Sequence, residues 1–261
     1  LQKEFAMRAI AVIAAIASLA GVADAAAPQG YETFYDAPTR VNLGGRPVTA
    51  GITLSTVRAA AKKGDLKIAL TTDVTEFIAD TERDLEKWVA DHQDRCGQRW
   101  GAGKPYIGFP KGAIRFALDI EMEVWTCGWN GKSEPSRMVL ETGKVDVTLI
   151  PAAVDGKLQA SLGDFSIENR SGVSKYLPLE FVVRSILEQE IKKLNANPKF
   201  YKAPKPFIDE GFVYESIVGD ADDSGRVVIT ARYRAKGAES KLKKIADRVR
   251  SEGISAEGVK E

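Results

Sequence analysis

Between residues 114 and 124 apolar and charged side chains alternate, and no other stretch of the chain limits its fold more tightly. Ile114, Phe116, Leu118, Ile120, Met122 and Val124 share one parity, while Arg115, Asp119, Glu121 and Glu123 share the other. Successive side chains of a strand point to opposite faces, so a period of two predicts a strand with one dry face and one wet face. A helix would scatter both sets around its circumference. The alternation resumes through Val145, Val147 and Leu149, then through Leu158, Ala160 and Leu162. Asp155-Gly156, between those two runs, is a hairpin signal because both residues tolerate positive φ. Together the runs predict an antiparallel meander.

Helical spacing brackets this meander. Val74, Phe77, Ile78, Leu85, Trp88 and Val89 recur every three or four residues behind Asp73, a residue suited to capping. Leu179, Val182, Val183, Ile186, Leu187, Ile191 and Leu194 form a second stripe, entered at Pro178 and ended by Asn197-Pro198. Shorter runs predict strands over 40–43, 48–54 and 66–71, with Gly44-Gly45 as the first turn. The glycines at 97, 101, 103 and 108 mark a connection, and 207–218 with 226–234 predict a final hairpin around the acidic loop 219–225. The expected class is α+β, with one domain over 26–236. Residues 237–261 are expected to form a solvated basic helix, carrying Lys241, Lys243, Lys244, Arg248 and Arg250, and a tail.

The N-terminal segment carries a different message. Met7-Arg8 precedes an apolar run over 9–19, and Ala23-Asp24-Ala25 supplies small residues where a signal peptidase reads. A cleavable secretory signal over 1–25 is expected, with a periplasmic or secreted product. The run falls short of the roughly 20 apolar residues a bilayer crossing requires, so no transmembrane segment is expected in the mature chain. Cys96 and Cys127 are the only cysteines, and in an oxidising compartment an even count points to one bridge. With 37 Lys and Arg against 36 Asp and Glu, there is no basic field for nucleic acid.

Motifs for chemistry are sparse. Asp119, Glu121 and Glu123 lie on one strand face, roughly 7 Å apart in sequence order, a separation open to two-carboxylate catalysis. Alternating charge is also what any solvated strand face presents. Asp220, Asp222, Ser224 and Gly225 begin a calcium-loop pattern, but Ala231 stands where the closing Glu belongs. His92 is the sole imidazole, too few with two Cys for a zinc site, and no G-x-S-x-G accompanies it. No catalytic residue, metal or cofactor is assigned. Trp129 and the basic C-terminal helix remain candidates for contact with an envelope protein.

The order of a long helix over 74–89, an alternating meander over 114–124 and 145–162, and a second apolar-striped helix over 179–194 resembles the tubular lipid-binding (TULIP) superfamily. The resemblance implies a curled antiparallel sheet packed against two long amphipathic helices, with an apolar groove for a lipid or acyl chain. It implies Phe77, Trp88, Phe116, Met122, Val183 and Leu187 as groove walls, although such side chains serve a dry core equally well. The expected function is a non-enzymatic carrier of a lipid-like or other apolar molecule. The alternatives are an envelope interaction or assembly factor with a packed core, and a carboxylate-dependent hydrolase.

Overall fold

A computed structural model describes residues 27–43, 46–127, 134–172, 174–176, 178–197, 202–221 and 226–254. The expected signal segment, the turn at 44–45, Trp129 and the acidic tip at 222–225 lie outside these residues, as does the side chain of Phe77. Among the described residues ten strands are formed: β1 (Glu32–Leu43), β2 (Arg46–Thr56), β3 (Asp65–Asp73), β4 (Gly97–Ala102), β5 (Tyr106–Gly108), β6 (Ile114–Thr126), β7 (Ser136–Val154), β8 (Lys157–Glu168), β9 (Val213–Ala221) and β10 (Val227–Lys236). The helices are α1 (Arg58–Ala61), α2 (Thr75–Asp91), α3 (Leu179–Ala196), α4 (Lys205–Ile208) and α5 (Ser240–Glu252).

These strands do not form one curled sheet against a helix pair. They make two open antiparallel sheets, β1-β2-β3-β10-β9 and β4-β6-β7-β8, with β5 added to β6. Alternation announces a strand but not its partner. The C-terminal hairpin crosses back to β3, pairing Ala231 with Leu70, and so draws the flanking strands into a sheet separate from the meander. The meander itself follows its pattern: Phe116 stands opposite Val147, and Val147 opposite Phe165. At the β7–β8 turn Asp155 has φ +51° and Gly156 φ +74°, the left-handed pair a two-residue hairpin needs.

The helices also depart from expectation. Helix α3 lies along β8 and α2 along β4, the two opposite edge strands of the second sheet. Neither buries a whole apolar face: in α3 Leu187 and Ile191 reach the core, whereas Phe181 and Val182 are exposed. Asp73 ends β3 instead of capping from the helix boundary, and its Oδ1 accepts from the Thr75 N–H at 2.8 Å. The Gly-rich stretch expected as a connection is strands β4 and β5.

One continuous apolar cluster joins the inner faces of both sheets, including Leu54, Leu70, Ile229 and Tyr233 from the first and Phe116, Val147 and Leu158 from the second. The C-terminal helix belongs to it and is not a solvated appendage. Leu242, Ile245, Ala246 and Val249 of α5 are all buried. Beyond α5 the Ile254 N–H donates to the Arg40 carbonyl at 2.8 Å, satisfying one group on the free edge of β1. Cys96 and Cys127 are disulfide-bonded, tying the approach to β4 to the end of β6.

Candidate ligand-binding site

The inner face of the second sheet is covered unevenly. On β6, Ile114, Phe116 and Leu118 are buried, but Ile120, Met122 and Val124, further along the same face, are half-buried. On β7 the change falls between Val147, which is buried, and Val145 and Val139, which are half-buried. On β8 it falls between Phe165 and Ile167. Register sets Val145 between buried Leu118 and half-buried Ile167, and places Ile120 opposite Gly143, two residues further along β6. The half-covered aliphatic side chains therefore form a strip that steps diagonally across three strands. Glu141, opposite Met122, interrupts it on β7.

Two helices flank this strip on the same side of the sheet. Trp100 of β4 stands opposite Met122 and shares its face, and the Trp88 ring of α2 packs on Trp100 with centroids 5.7 Å apart. His92 stacks on Trp88 at 4.3 Å, and its Nδ1 lies 2.7 Å from the Trp88 carbonyl, which makes that nitrogen the donor. The indole Nε1 of Trp100 is buried and has no hydrogen-bond partner among the described residues. An indole N–H can only donate, so this group offers a bond to an acceptor.

Along the opposite edge, α3 supplies polar side chains to the backbone of β8. Asn195 donates to the Ala160 carbonyl through Nδ2 and accepts from the Ala160 N–H through Oδ1, both at 2.8 Å. The Ile167 N–H donates to Glu180 Oε1 at 3.3 Å. These bonds occupy positions where another strand would pair, so the helix both seals the edge and places Val183 and Leu187 beside the apolar strip.

The sequence-named wall residues separate into two groups. Trp88 and Met122 gather around Trp100 at the β4 edge, Trp88 buried and Met122 half-buried. Phe116 and Leu187 are buried members of the core cluster, and Val183 packs half-buried against it. Trp100, Ile120, Val145 and Ile167 were not singled out. Ile120 and Val145 were legible in the alternation, whereas Ile167 lies beyond a register shift that reverses the parity set by Leu158, Ala160 and Leu162, and Trp100 was hidden among glycines that read as a loop.

The outer face of the sheet is polar. Asp119 and Glu121 are exposed and line a recess of about 460 Å³ with Gly101, Gly103 and Thr142. Glu123 accepts from Arg137 Nη1 at 2.6 Å and from Trp125 Nε1 at 2.8 Å. Those bonds hold its carboxyl below the usual carboxylate range, opposite to the raised value a general acid needs. A second recess of about 520 Å³ contains Arg115, Asp146, Asp164 and Arg184. Arg115 Nε donates to Asp146 Oδ1 at 3.0 Å, so part of that charge is neutralised internally.

Among the described residues no cluster of His, Cys, Asp or Glu could hold a metal ion, and no helix is long and apolar enough to cross a membrane. No protein-family model matches this chain, and a search of curated proteins finds no significant match.

Proposed function

We propose that this chain is an exported, non-enzymatic protein that holds a lipid-like molecule against the half-covered inner face of its second sheet, between α2 and α3. The observation that carries this reading is the burial gradient: the same apolar face that is closed at Ile114–Leu118 is left half-open at Ile120, Val145 and Ile167. Exposing aliphatic surface to water is unfavourable, at roughly 25 cal/mol per Å². Such side chains stepping diagonally across three strands are better matched to an apolar occupant than to solvent. Trp100 Nε1 adds a donor suited to a carbonyl or ester oxygen. The disulfide fits the oxidising compartment to which a cleaved signal would deliver the protein.

Native mass spectrometry of protein purified from membranes-containing extract tests the reading. The expected result is a bound species of lipid mass, lost in Val145→Asp or Ile167→Asp and retained in Glu121→Gln. A clean apo mass from repeated preparations contradicts it.

The exposed side chains Tyr176 and Phe181, each more than three-quarters accessible, favour a second reading as a protein interaction factor. On that reading, in-cell crosslinking from position 181 yields one dominant protein adduct. A diffuse set of weak adducts counts against it. The buried stripe of α5 leaves its apolar residues unable to contribute to such a surface.

A further inference from the structure

The larger recess on the outer face of the second sheet holds a guanidinium and a carboxylate that leave each other unpaired. Its charged lining is Arg115, Asp146, Asp164 and Arg184, around an open volume of about 520 Å³, with the hydroxyls of Thr148 and Ser166 beside them. That volume is within the range of small-molecule sites. Arg115 and Asp146 satisfy one another, Nε donating to both carboxylate oxygens at 3.0 and 3.1 Å. Arg184 and Asp164 remain.

Arg184 reaches the recess from α3 across the edge of β8. Its Nη2 donates a long bond to the Phe165 carbonyl at 3.5 Å, and its Cζ stands 5.7 Å from the centroid of the Phe165 ring. A guanidinium carries five N–H donors, so most of its capacity is unused. Glu180 and Glu188 lie one helical turn before and after it, the spacing at which ion pairs form along a helix. Neither pairs with it. Glu180 accepts from the Ile167 N–H instead, and among the described residues no carboxylate forms an ion pair with Arg184. Asp164 is exposed at the same recess, and it too has no hydrogen-bond or ion-pair partner among the described residues. Glu168 lies outside the lining, where it accepts from the Ser166 hydroxyl at 3.3 Å. The charges of the lining therefore balance. A simple anion or cation entering here meets one attractive and one repulsive group, whereas a dipolar molecule meets two attractive ones.

We infer that this recess binds a small amino acid as its zwitterion, the carboxylate on Arg184 and the ammonium on Asp164. The planar guanidinium presents parallel N–H donors that match two carboxylate oxygens, and the ammonium finds a second acceptor in the Thr148 hydroxyl. The recess opens on the face of the sheet opposite the apolar strip and stands whether or not that strip binds lipid.

The test is a titration of the full chain with glycine, β-alanine and γ-aminobutyrate, and with acetate, ethylammonium and phosphoethanolamine at equal ionic strength. NMR follows the Arg184 Nε–H and the backbone amides of Asp164 and Ser166. The expected result is a saturable shift at both ends of the recess with at least one amino acid and none with acetate or ethylammonium. The best-bound chain length then reports the separation of the two charges. Arg184→Gln and Asp164→Asn each weaken that binding roughly ten- to a hundredfold, and Glu121→Gln in the other recess leaves it unchanged. Circular dichroism establishes that each variant is folded. No saturable shift with any of the three amino acids, an equal response to acetate or ethylammonium, tighter binding of phosphoethanolamine, or unchanged affinity in folded Asp164→Asn overturns the inference.

Discussion

Tyr214 and Tyr233 face each other in the core with ring centroids 4.9 Å apart. Burial pushes the Tyr214 phenol up to about 12 and the Tyr233 phenol well above its ordinary value of 10. An acid whose pKa is raised on folding adds stability that is complete below the unfolded value and fades as pH climbs through the folded one. Alkaline titration is therefore expected to leave two of the seven tyrosines protonated until the fold itself is lost. Phenolate absorbance recorded with near-ultraviolet circular dichroism checks this. Ionisation of all seven before any loss of tertiary signal contradicts it. Carboxylates move the other way. Arg248 hydrogen-bonds Glu252 and holds its carboxyl below the ordinary 4.5. Its contribution is complete above that value and is lost as pH falls through the lowered one. Glu252→Gln should accordingly flatten the acid limb of a stability profile measured by urea denaturation.

At the scale of elements, α3 and the disulfide make the most specific claims. Asn195→Ala strips both backbone groups of Ala160 of their partner, with an expected cost of about 1–3 kcal/mol and a greater tendency to self-associate through the uncovered edge. Urea denaturation and light scattering measure the two effects, and a stable, monodisperse variant contradicts the edge-sealing role. Cys96 and Cys127 are separated by 31 residues, for which the chain-entropy model gives roughly 3–4 kcal/mol. Reduction should lower the unfolding midpoint correspondingly. The sequence was a good guide to β6 and β7, because strict alternation has one structural reading, and to the first half of β8, whose inward parity then reverses between Leu162 and Phe165 at a register shift. It misled at β4, where Gly97, Gly101 and Gly103 read as a connection and order comes from pairing with β6. It misled again at α5, whose narrow stripe among lysines looked solvated. Ile245 is in fact fully buried, and Ile245→Ala should cost roughly 2–5 kcal/mol.

At the scale of the molecule, what sequence could not disclose was how strands are shared between sheets. Pairing of β10 with β3 links positions some 160 residues apart, and no local pattern carries that information. The result is two open sheets with the α2 and α3 helices on opposite edges of one of them, leaving the strip from Ile120 to Ile167 half-covered between them. Phe116 and Leu187, two of the named wall residues, are buried in the core cluster, because a core and a groove are built from the same side chains. Whether the strip receives an apolar molecule is tested most directly by methyl NMR during titration with a long-chain acyl ligand. Saturable shifts are expected at Ile120, Val145, Ile167 and Val183, with Leu70 and Ile229 of the closed core unmoved. Silence at those four methyls while the ligand binds elsewhere, or no binding at all, would contradict it.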